Sequence, residues 1–91
     1  MALICKRCVI DGRVQGVFYR ASTYDQAIRL GVHGWVRNLP DGRVESLIQG
    51  ELQAVEQMID WFWQGPAYSE VVSVQCQDET PIDTDSFTIT R

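Results

Sequence analysis

The segment HGWVRNLPDGRVESLI, residues 33–48, decides the fold. Pro40, Asp41 and Gly42 supply turn chemistry between two strand-like runs, His33 to Leu39 and Arg43 to Ile48. Proline presets φ for a turn, and Asp and Gly accommodate the return of the chain. The segment therefore reads as a hairpin, whose two strands run antiparallel.

Upstream of it, Leu3 to Asp11 is a short apolar run with β-branched residues that ends at Gly12 and reads as a central strand. From about Ala21 the pattern turns helical. Ala21, Tyr24, Ala27 and Ile28 fall on one face, Ser22 with Asp25 three residues on fits a capping box, and Gly31 closes the helix. After Gly50, Leu52, Val55, Ile59 and Phe62 recur at helical spacing, with Glu51, Gln53, Glu56 and Asp60 elsewhere on the surface, until Gly65 and Pro66 stop the run. Val72, Val74 and Cys76 alternate with Ser73, Gln75 and Gln77 as a fourth strand, and SFTITR, residues 86–91, gives a short fifth in which Phe87 and Ile89 share a face.

The order is β-α-β-β-α-β plus a short terminal strand. This is the α+β, ferredoxin-like split βαβ arrangement, an antiparallel sheet with two helices on one face. A right-handed crossover makes the first and second strands parallel, and the hairpin places the third between them. The carboxyl ends of the first and second strands then emerge at one edge. That brings GRVQGVFYR, residues 12–20, beside the RNLPDG corner, residues 37–42, with Arg20 and Asn38 as candidate partners in one site.

Composition narrows what such a site can do. The 91 residues suffice for one domain, residues 1–91, burying about 60–70% of its unfolded surface. With 45% hydrophobic and 22% charged residues, it is an ordinary globular chain without low-complexity tracts or repeats. A net charge of -4 gives no general attraction to nucleic acid or anionic lipid, so any anion site must be local. The three cysteines, Cys5, Cys8 and Cys76, suggest no disulfide framework, and MALICKR is too short for a secretory apolar region, so a reducing cytoplasm is the expected home. Cys5 and Cys8 make a CxxC, but residues three apart on a strand face opposite ways, and neither a second CxxC nor a second histidine accompanies them. They read as structural cysteines, packed as small hydrophobes.

The loop before the first helix carries the chemistry. A helix N-terminus offers unpaired N–H groups and partial positive charge, and a tight loop ahead of it can form a concave anion nest. Gly12 and Gly16 permit the backbone angles such a nest needs, and Arg20 adds a planar fork for two oxygens of a phosphoryl or carboxylate group. The loop alone fits a plain turn as well as a phosphate cradle. It matches neither the Rossmann fingerprint nor the P-loop, which would end in GK[ST].

GRVQGVFYR resembles the first signature of the acylphosphatase family, and GWVRNLPDGRVESLIQG, residues 34–50, resembles the second, in the expected order and spacing. The resemblance implies a small cytosolic hydrolase that cleaves the carboxyl–phosphate bond of acyl phosphates to a carboxylate and inorganic phosphate. It implies that Arg20 binds phosphate, that the backbone of Arg13, Val14, Gln15, Gly16, Val17, Phe18 and Tyr19 cradles it, and that Asn38 holds the attacking water. No metal or other cofactor is expected. The partner is a small-molecule acyl phosphate, with no nucleic acid and no membrane, and a monomer is expected for so self-contained a fold. Tyr19 stands where phenylalanine would be equally at home, which should place a hydroxyl near the cradle's rim. The family sometimes ties its arginine to the terminal carboxylate, which here belongs to Arg91.

Chemistry supports those roles independently. Phosphoryl transfer to a good carboxylate leaving group depends mostly on positioning and charge neutralisation. Asn38 can orient a water but cannot take its proton, so a phosphoryl oxygen of the substrate is the expected acceptor.

Other residues have plainer readings. His33 lies at the helix-to-strand turn and reads as solvent-facing rather than as a base. Trp61 and Trp63 flank Phe62, so at least one falls off the apolar face, while Trp35 packs on the sheet. Arg37 and Arg43 are solvated strand charges that could steer anions, and DETPIDTD, residues 78–85, is a mobile loop. Two other functions share the fold. A non-catalytic module binding a phosphorylated or carboxylated metabolite has no use for a water-positioning amide at Asn38. A single-stranded RNA binder would need stacking aromatics that RVESLIQG, residues 43–50, lacks. The fold also occurs as the amino-terminal part of a carbamoyl-phosphate-using maturation factor, but a chain of this length reads as a stand-alone domain.

Overall fold

The computed structural model describes residues 3–90. Seven elements follow in order: β1 (Leu3–Arg13), α1 (Tyr19–Leu30), β2 (His33–Asn38), β3 (Val44–Glu51), α2 (Leu52–Gln64), β4 (Glu70–Asp78) and β5 (Phe87–Ile89). They form one sheet in the order β4-β1-β3-β2-β5. As the hairpin requires, β3 lies between β1 and β2 and is antiparallel to both, so β1 and β2 are parallel and end at the same edge. β4 pairs antiparallel with β1, whereas β5 pairs parallel with β2, which makes the sheet mixed rather than wholly antiparallel.

Both helices cover one face. There Ile10, Val36 and Ile48 from the strands meet Tyr19 and Ala27 of α1 and Val55, Met58 and Phe62 of α2. The buried side of α1 is Tyr19, Thr23 and Ala27; of the expected Ala21, Tyr24, Ala27 and Ile28, Ala27 alone is buried, and Ile28 is 56% exposed. A polar residue holds the middle of that face because the Thr23 hydroxyl donates to the Tyr19 carbonyl at 2.8 Å, which satisfies it without water. The capping box is likewise absent. The helix begins at Tyr19, Phe18 is its N-cap, no side chain caps it, and Ser22 N–H already donates to the Phe18 carbonyl as part of the first turn. In α2, Val55 and Phe62 are buried as expected, joined by Met58, while Leu52 is exposed.

A bulge in the β1–β4 ladder changes the inward phase of β4. Asp11 opposes Ser73, but Gly12 opposes Val71, which leaves Val72 as the extra residue. Val71, Val74 and Cys76 therefore pack on the core, and Val72, expected inward, is 73% exposed. Only glycine fits at position 12, because a Cβ there would stand 2.1 Å from the Glu70 carbonyl oxygen.

Cys8 and Cys76, directly opposed in that ladder, form a disulfide, and buried Cys5 is free. This corrects the expectation of unpaired cysteines and removes the argument from cysteine usage for a reducing compartment. Cys5 and Cys8 do diverge. The Cys8–Cys76 pairing could not be read from spacing, since it depends on the register between two strands that bring together residues 68 apart in sequence.

The face opposite the helices is also organised. Glu45, 6% exposed, accepts from Arg7 Nη1 at 2.8 Å and Arg37 Nη2 at 2.6 Å, and Arg37 stacks over Trp35. Burial would raise the Glu45 carboxyl, but hydrogen bonds and charge from Arg37 and Arg7 outweigh it and hold it below the usual range. The segment read as a mobile loop is tied to this face. Gln49 exchanges two hydrogen bonds with the Ile82 backbone, at 2.9 and 2.7 Å, and Glu79 N–H donates to the Cys5 carbonyl. No helix among the described residues is long and apolar enough to cross a membrane.

Candidate active site

The shared edge of β1 and β2 carries a pocket of about 310 Å³ lined by Val14, Gln15, Gly16, Phe18, Tyr19, Arg20, Ala21, Asn38 and Ile89. Its principal wall is the loop from the end of β1 to the start of α1. Val14 and Tyr19, each 1% exposed, root that loop at both ends, and Val17 packs partly against the same core. Between them Gly16 has φ 74° and Phe18 φ 64°. Among the described residues, the backbone N–H groups of Gln15, Gly16, Val17 and Phe18 have no carbonyl or side-chain partner. They adjoin the positive end of α1, the arrangement that favours an anion.

The Gln15 side chain performs a job the sequence reading missed. Its Nε2 donates to the Leu39 and Arg43 carbonyls, both at 2.9 Å, and so fastens the loop to the β2–β3 turn. Asn38 is the last residue of β2, opposite Val44. Its Oδ1 is the one buried side-chain oxygen or nitrogen among the described residues without a hydrogen-bond partner. Such an atom costs free energy in the folded protein and stands ready to accept a hydrogen bond.

Arg20 is in the first turn of α1, with Nη1 3.5 Å from the Thr90 carbonyl oxygen, a contact too long to saturate the guanidinium. Its suggested tie to the Arg91 carboxylate lies outside the described residues. Arg20 and Asn38 thus line the same pocket, as the topology led us to expect. Arg13 and Val17, also expected in the cradle, are not among the lining residues; Arg13 pairs with Glu70 at the end of the ladder. Gly12 serves the bulge rather than the cradle.

Tyr19 departs from expectation. Instead of presenting a hydroxyl at the rim it is buried, donating to the Phe62 carbonyl at 2.8 Å, and burial pushes its pKa up. The reason lies in α2. The helical donor for that carbonyl would come from position 66, which is proline and has no N–H. Tyr19 therefore completes the C-terminus of one helix while opening the other. Among the described residues, Arg20 is the one charged side chain lining the pocket, and none of them brings a side-chain carboxylate, imidazole or thiol to it. Ile89 and Ala21 also escaped the sequence reading, the former because only the parallel β2–β5 register brings it to this edge.

Comparison with known proteins agrees with this architecture. The acylphosphatase family model matches residues 6–89. An acylphosphatase of Nitrosococcus oceani is 62% identical over 73 residues, covering 80% of this chain and 82% of the relative. One of Acaryochloris marina is 49% identical over 89 residues, covering 98% and 96%. The solved structure of an acylphosphatase from Coxiella burnetii superposes with a TM-score of 0.94 at 33% identity, over 97% of this chain and 93% of that one. With a sequence match and a fold match that both span the β1–α1 loop and the β2–β3 turn, the chain belongs to the acylphosphatase family.

Proposed function

We propose that this pocket hydrolyses acyl phosphates by in-line attack of water on phosphorus. The guanidinium of Arg20 holds two phosphoryl oxygens, and the unpartnered N–H groups from Gln15 to Phe18 receive the charge of the remaining oxygens. Asn38 Oδ1 accepts a hydrogen bond from the attacking water and sets its approach. The water O–P bond forms as the P–O bond to the carboxylate breaks, the leaving carboxylate takes the bonding pair, and the proton of the water passes to a phosphoryl oxygen. Carboxylate and inorganic phosphate are the products. Substrate as proton acceptor suits a pocket to which the described residues bring no side-chain carboxylate, imidazole or thiol. A loose transition state asks mainly for positioning and charge neutralisation, which a preorganised cradle supplies.

The observation that carries the proposal is the buried, unpartnered Asn38 Oδ1 in the same pocket as Arg20. Binding an anion needs the arginine and the loop but gains nothing from a buried acceptor. The test is benzoyl phosphate hydrolysis by wild type, Arg20→Ala and Asn38→Ala, with a chelator present throughout. Turnover by wild type that persists in chelator, with both variants folded by circular dichroism and reduced at least about 10²-fold, is expected. A folded wild type without turnover would leave only anion binding.

A further inference from the structure

Phe18 is hard to account for by folding. It has φ 64° and ψ 25°, a left-handed conformation that is a true outlier for a bulky residue, yet its side chain is 79% exposed. Glycine would relieve the backbone and a polar residue would remove the exposed apolar surface. The phenylalanine thus carries backbone strain without burying its ring in return. Ile89 repeats the pattern more weakly: it lies on the last strand, 43% exposed, while its face-mate Phe87 is 4% exposed. Both line the pocket that holds Arg20 and Asn38.

We infer that Phe18 and Ile89 form an apolar platform for the acyl half of the substrate, giving the site a preference for aromatic and branched acyl phosphates over acetyl phosphate. The inference rests on the acyl phosphate reading. The polar elements of the pocket, Arg20, Asn38 and the loop N–H groups, take the phosphoryl end. The acyl group bonded to it extends to the exposed part of the lining, where the accessible side chains are apolar. Contact there removes apolar area of both partners from water, more for a ring or branched chain than for a methyl group.

The test is the ratio of kcat/KM for benzoyl phosphate to kcat/KM for acetyl phosphate in wild type, Phe18→Asn, Phe18→Leu and Ile89→Thr. Asparagine tolerates the left-handed conformation, so Phe18→Asn removes the ring without demanding a new backbone. Damage to the phosphate cradle affects both substrates alike and cancels in the ratio, and the difference between leaving groups, a common factor in every ratio, drops out when a variant is compared with wild type. The ratio is expected to fall on the order of tenfold in Phe18→Asn, to fall less in Ile89→Thr, and to recover toward wild type in Phe18→Leu. A ratio unchanged in both polar variants, with acetyl phosphate still hydrolysed, would overturn the platform and leave the hydrolase reading intact. Failure of wild type to hydrolyse either compound would overturn both.

Discussion

Gln15 and Leu39 stand 24 residues apart and are joined by a 2.9 Å hydrogen bond from the side-chain amide to the backbone carbonyl, with a second such bond from the same nitrogen to Arg43. One residue of the β1–α1 loop thereby fixes the distance between the loop and the end of the strand that carries Asn38. Gln15→Leu is expected to lower kcat by at least about tenfold, since small displacements of reacting groups have large kinetic effects. The stability loss should be only about 1–2 kcal/mol, because the Leu39 and Arg43 carbonyls keep other donors, Gly42 N–H and Leu39 N–H. Steady-state kinetics beside urea denaturation separate the two effects; an unchanged kcat would show that the bonds serve stability alone.

Tyr19→Phe is the converse case. Removing the hydroxyl leaves the Phe62 carbonyl, already without a helical donor at Pro66, unpaired in the core. The expected loss is about 1–3 kcal/mol of stability, with kcat changed far less than by Arg20→Ala. Chemical denaturation and benzoyl phosphate kinetics on the same preparation test it.

Glu45 sets an acid limit. Its folded-state pKa lies below the ordinary 4.5, so its contribution is fully present above that value and is lost as pH falls through the folded pKa. Urea midpoints measured from pH 7 down to pH 3 should decline at the acid end, and Glu45→Gln should flatten that decline while lowering stability at pH 7. A parallel decline in wild type and variant would assign the acid sensitivity to other carboxylates.

The Cys8–Cys76 disulfide closes a loop of 68 residues. By loop-closure entropy its reduction should cost about 4 kcal/mol. The guanidinium midpoint should fall on adding reductant in wild type and should not move in Cys76→Ser. If reductant shifts neither protein, the thiols are unpaired in solution.

Local chemistry explains which features could be read in advance. Pro40 to Gly42 declared the hairpin, the hairpin with the crossover rule fixed β1, β3 and β2, and that order brought Arg20 and Asn38 together. Features that depend on one strand's register against a distant partner were hidden. The bulge opposite Gly12 put Val72 outside, the same ladder joined Cys8 to Cys76, and the parallel pairing of β5 delivered Ile89. Thr23 concealed the inner face of α1 because its polarity is cancelled by a bond to its own helix. Gln15 was identified as backbone, whereas its amide is what reaches the turn.

The pairing of β5 with β2 makes the pocket depend on both ends of the chain. The loop, Arg20 and Asn38 all precede residue 39, but Ile89 and the Thr90 carbonyl that Arg20 approaches arrive only when the last strand docks. The last strand thus finishes the outer rim of the pocket, while the loop, Arg20 and Asn38 are set in place by elements that all lie in the first half of the chain.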